Sequence, residues 1–161
     1  GALPRKSYKE IDEFREAAFA FQQDLTSTNI ALSRSQQTVD AMIRAHNKAT
    51  SPSNELFKQL NDLKITLLDI DKELHGDAVK DEIGERSNPT ASDGGSLGWT
   101  AFGNTYGPTD EHMRLLNRVK SQLKKVKNKL YPIVNSTLPS LRNELIKTGA
   151  PWIEGQGLIQ D

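Results

Sequence analysis

The chain has 161 residues, with 21 basic and 21 acidic side chains, and therefore carries no net charge. This balance disfavours a nucleic-acid binder or a protein held on an anionic membrane. No apolar run approaches the roughly 18 residues that would cross a bilayer. Only 35% of the residues are hydrophobic, which is enough for one modest core, so we expect a single domain over 1–161. Cysteine is absent, which excludes disulfides and thiolate sites.

The first predicted helix covers about 7–48. Ser7 and Glu10 have the S-x-x-E spacing of a capping box. A seam of apolar and small residues then advances in alternating steps of three and four, as in a helix packed along one face: Ile11, Phe14, Ala18, Phe21, Leu25, Thr28, Leu32, Ser35, Val39, Met42 and His46. The stretch 26–29 has poor helix propensity and allows a bend. Because the seam resumes in phase, one helix is favoured.

The second predicted helix covers about 52–75. Ser51 is a candidate N-cap, and Pro52 suits the first helical position. The helix carries its own three-four seam, formed by Leu56, Leu60, Leu63, Leu67, Ile70 and Leu74. Gly76 suits a left-handed C-terminal cap. Because the turn from the first helix is short, this helix should return antiparallel to it.

A loop rich in glycine is predicted over 76–108. Trp99, Phe102 and Tyr106 place three aromatic side chains within eight residues, so we expect part of the loop to fold back on the bundle. The run Asp93-Gly-Gly-Ser-Leu-Gly98 lacks the G-K-[ST] of a phosphate-binding loop and is interpreted as flexible.

The third predicted helix covers about 110–148, with Thr109 as its N-cap. Its seam comprises Leu116, Val119, Leu123, Val126, Leu130, Ile133, Leu141 and Leu145. A kink is expected near Pro132–Pro139, because proline removes a helical hydrogen bond. Gly149 ends the helix, and the tail 149–161 has no period. The predicted fold is therefore all-α: an elongated up-down-up three-helix bundle, or four helices if the kink is counted as a break.

No pattern in the chain is typical of catalysis. His46, His75 and His112 each stand alone, without the i+3 or i+4 partner of a helical metal site. The carboxylates lie on predicted polar faces or helix caps, and no G-x-S-x-G nucleophile motif is present. We therefore expect no catalytic residue, no metal and no cofactor.

Two surface features could bind a partner. The aromatic residues Trp99, Phe102, Tyr106 and Trp152 could stack on sugar rings or seat a protein, although packing on the bundle is the simpler interpretation. The third helix carries a basic run with no acid among its members: Arg114, Arg118, Lys120, Lys124, Lys125, Lys127 and Lys129. The stretch between Asp62 and Glu85 contains eight acidic residues and only three lysines. These acids can balance the positive charge of the basic run, so nucleic-acid binding is not expected.

Three segments carry a resemblance to a known family. The stretch Trp99-Thr-Ala-Phe-Gly-Asn-Thr-Tyr-Gly-Pro-Thr-Asp-Glu-His112, the seam end Thr137-Leu-Pro-Ser-Leu141 and the run Gly149-Ala-Pro-Trp152 resemble the C-terminal region of sortilin-like, BNR-repeat β-propeller proteins of the glycosyl hydrolase type. The resemblance implies upstream propeller and β-sandwich domains in the same chain, and a periplasmic or extracellular location. Since the chain starts without Met and without a signal peptide, 1–161 is expected to be a fragment of such a protein.

The leading functional expectation is a non-catalytic C-terminal helical domain that packs on the propeller and braces it. None of the family's catalytic residues maps onto this sequence, so the fragment itself is not expected to be an enzyme. The alternative is a carbohydrate- or protein-binding module that uses Trp99, Phe102, Tyr106 and Trp152. A third, weaker hypothesis is a bundle that self-associates.

Overall fold

The computed structural model describes residues 6–76, 90–97 and 107–159. Its helices are α1 (Tyr8–His46), α2 (Asn54–His75), α3 (Asp110–Pro132) and α4 (Leu138–Lys147). A short 3₁₀ helix covers Ala91–Ser96, and a π-helical turn, Ile133–Thr137, joins α3 to α4. These described ranges contain no β-strand. The predicted all-α helical bundle is therefore confirmed, with the third helix interrupted between its two prolines.

Two compact units are present. The first unit falls within Gly1–Asn29 and Asp71–Lys127, and the second within Ile30–Ile70 and Asn128–Asp161. Each unit has buried apolar residues of its own. Phe21 and Leu123 are buried in the first unit, and Leu60 and Leu145 are buried in the second. The expectation of a single domain over 1–161 stays a prediction.

The predicted seams are the buried faces of the helices. In α1 every seam position from Phe14 to His46 is at most 7% exposed, and only Ile11 is half-buried. The seam hydroxyls find partners within the helix: Thr28 Oγ1 donates to the carbonyl of Asp24 and Ser35 Oγ to that of Ala31, each at 2.7 Å. Because these buried hydroxyls are satisfied locally, they do not interrupt α1.

The predicted capping box begins α1. The backbone N–H of Ser7 donates to Glu10 Oε2 at 2.8 Å, and the backbone N–H of Glu10 donates to Ser7 Oγ at 3.2 Å. The bond from the Ser7 backbone, followed by its side chain, lowers the pKa of Glu10 from its ordinary 4.5. Because the folded-state pKa is depressed, this carboxylate stabilises the fold above its unfolded-state pKa, and the contribution is lost as pH falls through the folded-state value.

Helix α2 starts two residues later than predicted. Ser53, rather than Ser51, is the N-cap: its hydroxyl accepts the backbone N–H of Leu56 at 3.2 Å. The Ser53 N–H in turn donates to Nε2 of His46, which is only 5% exposed. The seam histidine thus bonds the turn between α1 and α2 at the residue that caps α2. At the other end, Gly76 has a φ of +91° and its N–H donates to the carbonyl of Lys72 at 2.8 Å, as predicted.

Side-chain contacts give the helix directions within each unit. In the first unit, Lys6 pairs with Asp110 and Asp24 with Lys127, so these stretches of α1 and α3 run parallel. In the second unit, Asp40 pairs with Lys64 at 3.0 Å, while His46 stacks on Phe57 at a centroid distance of 5.7 Å. That order shows α2 returning antiparallel to α1, which confirms the prediction from the short turn.

The described part of the predicted loop packs in the first unit. The 3₁₀ helix begins with a capping box in which the Thr90 N–H donates to Asp93 Oδ2 at 2.5 Å. Ser92 Oγ donates to the carbonyl of Leu74 at 2.8 Å, and Gly94 lies so close to Phe21 and Val119 that a Cβ there would collide with both. The interpretation of the run 93–98 as flexible does not hold for 93–96, which belong to this 3₁₀ helix.

The π-helical turn explains the irregular seam of the third predicted helix. The backbone N–H of Leu138 donates to the carbonyl of Ile133, five residues earlier. Ile133 and Leu138 are 7% and 3% exposed, so the buried face advances by five residues here, instead of three or four. The wider turn lies where proline rings disturb ordinary helical bonding. No helix in the described ranges has the length and apolar character needed to cross a membrane.

Candidate docking site

Of the four predicted binding aromatics, Trp152 alone belongs to the described residues; Trp99, Phe102 and Tyr106 lie outside them. Trp152 is 53% exposed, and its indole N–H donates to the carbonyl of Gly157 at 2.9 Å. The next residue, Ile153, is buried, and its N–H donates to the Gln156 side chain at 3.0 Å. The tail turn is therefore held by its own bonds, with much of the Trp152 side chain left exposed.

The three histidines have structural partners. His46 accepts the Ser53 N–H described above, and His112 Nδ1 accepts the N–H of the α3 cap, Thr109, at 3.2 Å. The Thr109 hydroxyl accepts the His112 N–H at 3.1 Å, so the predicted cap is present and this histidine completes it. Within residues 6–76, 90–97 and 107–159, no group of three His, Asp or Glu side chains could hold a metal ion.

His75 comes nearest to a catalytic arrangement. Its Nδ1 lies 2.6 Å from Asp71 Oδ1, an aspartate–histidine pair of the kind that orients a general base. Its Nε2, however, lies 2.6 Å from Asn29 Oδ1, where a base would need a nucleophile or a substrate proton. Both ring nitrogens are thereby occupied, so this cluster joins α2 to α1 within the first unit and has no free position for chemistry.

A groove lies between α1 and α2 in the second unit. Its volume is about 200 Å³, and it is lined by Gln36, Val39, Asp40, Lys64, Leu67 and Leu68. The Asp40–Lys64 ion pair joins its two sides, with the two side chains 44% and 50% exposed. Val39 and Leu67 are wholly buried, whereas Leu68 is 48% exposed. The groove therefore combines an apolar floor with a charged pair that water can reach.

A second exposed apolar side chain, Phe57, lies on the same side of α2 but outside the groove lining. Phe57 and Leu68 are 41% and 48% exposed, and helical geometry places both on the same face of α2 as Lys64. We call Phe57, Leu68 and the groove the α2 docking face. The sequence analysis missed it because the stronger Leu56–Leu74 seam accounts for most apolar residues of this helix. Phe57 and Leu68, with the polar Asn61 between them, form no apolar periodicity that could have signalled this face.

The basic run of α3 is solvent-exposed. Lys127 pairs with Asp24 of α1 at 2.7 Å, so part of the charge is balanced within the first unit by an acid outside the 62–85 stretch that was expected to balance it. Arg114, Arg118 and Lys125 are exposed and form no ion pair with any described residue. They leave a positively charged face on a chain that is neutral as a whole.

Comparisons of the chain with models of protein families, with curated proteins and with solved structures gave no match. The resemblance to sortilin-like propeller proteins therefore stays a prediction, and so do the partners and the location that it implies.

Proposed function

We propose that this chain is a non-catalytic helical domain that packs against the β-propeller of a sortilin-like protein of the glycosyl hydrolase type and braces it. The resemblance in sequence motivates the choice of partner. The α2 docking face supplies the contact surface in this proposal. A periplasmic or extracellular location belongs to the same proposal, since it follows from the same resemblance.

The observation that carries the proposal is the exposure of Leu68 at the rim of a groove whose floor is already buried. Leu60 and Leu67, on the buried side of the same helix, are fully buried. An exposed apolar side chain beside a groove with an apolar floor is a feature that interaction surfaces share. The exposed Asp40–Lys64 pair would then lie in such an interface, where ion pairs contribute orientation more than affinity.

The proposal predicts that the purified upstream propeller binds this chain and that Leu68→Ser weakens binding at least about tenfold, because central apolar contacts dominate interface energies. Isothermal titration calorimetry measures the affinity directly. Ile146→Ser is the matched control: Ile146 is also apolar and 58% exposed in the second unit, but it lies on α4. The proposal is contradicted if the docking-face variant and the control weaken binding equally. It is also contradicted if the wild-type chain does not bind the propeller.

Trp152 favours a second candidate function, a carbohydrate-binding module. Because its indole N–H is already bonded to Gly157, the ring contributes mainly its apolar faces, which are the part that stacks on sugar rings. We expect oligosaccharides to shift the emission of Trp152, as measured in a Trp99→Phe background, and Trp152→Ala to abolish binding in calorimetry. A titration without emission change or heat would exclude this candidate.

A further inference from the structure

Arg142 on α4 is a half-buried cation whose charge is not paired within the described part of the chain. Its Nε atom is buried and has no hydrogen-bond partner, and no described residue forms an ion pair with the guanidinium. Buried polar groups in proteins are normally hydrogen-bonded, so this nitrogen is an exception. The Nη groups also have no partner but are not buried, and they can therefore donate to an acceptor that arrives from solvent.

The tail turn packs against this guanidinium. Gly155 lies so close that a Cβ there would be 3.2 Å from Nη2 and 3.5 Å from Cζ of Arg142. The turn is closed by a bond from the Gln156 N–H to the carbonyl of Ile153 at 3.2 Å, and Ile153 is buried. Because packing positions Arg142 and no carboxylate pairs with it, the guanidinium keeps an unneutralised charge beside the turn.

Trp152 belongs to the same turn. Its indole N–H donates to the carbonyl of Gly157 at 2.9 Å, and its side chain is 53% exposed. Gly157 comes two residues after Gly155, which contacts Arg142. Two residues of chain span at most about 7 Å. The guanidinium and the indole therefore contact neighbouring parts of one short stretch, 155–157, and an oligosaccharide of a few rings is long enough to reach both.

We propose that Arg142 and Trp152 form a binding site for an acidic oligosaccharide, in which the Nη groups bind a sugar carboxylate and the indole stacks on a sugar ring. The guanidinium suits the first role, because its planar set of donors matches the two oxygens of a carboxylate. The exposed faces of the indole suit the second. This inference rests on the second candidate function and deepens it, since it names hexuronates as the class of sugar.

Two acidic side chains lie near this site along the chain. Glu154 directly precedes Gly155, but it is exposed and does not pair with Arg142. Glu144, on α4, pairs with Lys147 at 2.9 Å. Neither carboxylate neutralises the guanidinium. Because like charges repel, we expect Glu154→Gln to bind an acidic oligosaccharide at least as tightly as the wild type does.

Titration with oligogalacturonate and with its neutral methyl ester of the same length tests the site. The emission of Trp152 is followed in a Trp99→Phe background, and calorimetry gives the affinities. We expect the acid to bind at least about tenfold more tightly than the ester, because hydrogen bonds to charged groups are the stronger kind. Arg142→Gln should remove this difference. Arg142→Lys, which keeps the charge but loses the planar set of donors, should retain only part of it.

Lys58→Gln is the matched control, since it removes one exposed positive charge from α2 in the same unit. It should bind both oligomers as the wild type does. If the acid and the ester bind equally and Trp152→Ala abolishes both, the acidic site is overturned, whereas the carbohydrate-binding candidate stands. If neither oligomer binds, both are overturned. Equal loss of affinity in Arg142→Gln and Lys58→Gln also overturns the inference, because the attraction would then come from the overall charge.

Discussion

Leu123→Ala is expected to lower the free energy of unfolding by about 2–5 kcal/mol, because it removes buried methyl groups and leaves a cavity. Leu123 is 1% exposed and belongs to the α3 seam in the first unit. Leu63→Ala, in the α2 seam of the second unit, should act in the same range, although this leucine is 7% exposed. Urea unfolding followed by circular dichroism gives the midpoint and slope from which these changes are obtained.

The control for the cavity variants is Lys125→Ala, two residues beyond Leu123 on the exposed side of α3. It should change the free energy of unfolding by less than about 0.5 kcal/mol, at a protein concentration low enough to keep the chain monomeric. Similar urea midpoints for Leu123→Ala and Lys125→Ala would show that the buried face of α3 is not the one described.

Gly149→Ala is the second substitution with a large expected effect. Gly149 ends α4 with a φ of +72°, and a Cβ at this position would overlap Thr50 Oγ1. The left-handed backbone costs an alanine about 1–2 kcal/mol, and the exposed Thr50 side chain must also turn away to make room for the Cβ. Thr50 Oγ1 also donates to the carbonyl of Thr148 at 3.4 Å, as does the Ser51 N–H at 2.9 Å, so that movement disturbs a bonded turn.

Thermal unfolding of Gly149→Ala should therefore show a clearly lower midpoint than the wild type. Gly157→Ala provides the comparison, because Gly157 does not have a positive φ and nothing lies within 4 Å of the position where its Cβ would be. Its midpoint should stay close to the wild-type value. If the two alanine variants have the same midpoint of thermal unfolding, the turn around Thr50 does not constrain Gly149 as the geometry requires.

Most of the helical architecture follows from periodicity, since burial on one face repeats along the sequence. The seams of α1, α2 and α3 were predictable residue by residue for that reason, down to the hydroxyls of Thr28 and Ser35. Local hydrogen-bond chemistry likewise predicted the Ser7–Glu10 box and the Thr109 cap. The start of α2 was not predicted correctly in this way, because Ser51 and Ser53 are both suitable N-caps by sequence, and the bond from the Ser53 N–H to the His46 ring is not visible in a local pattern.

The candidate site was much less predictable than the fold. Exposed apolar residues such as Phe57 and Leu68 have no periodicity that distinguishes them from chance, and their meaning depends on the groove beside them. The Asp71–His75 pair has helical spacing, but the role of its ring depends on Asn29, which lies far away in sequence. Composition alone could point to the aromatic residues of the loop and the tail as candidate binding residues. The α2 docking face could be recognised only once the structure showed which side chains stay exposed.

The π-helical turn also shows how one additional residue is accommodated within a helix. In an ordinary helix, one inserted residue rotates everything after it by about 100°, so that a buried face downstream turns towards water. The turn Ile133–Thr137 absorbs one such residue within itself, and Leu138, Leu141 and Leu145 remain buried after it. The turn therefore holds one residue more than an ordinary helical turn. Because the wider turn accommodates that residue, the buried face of α4 is not rotated towards water.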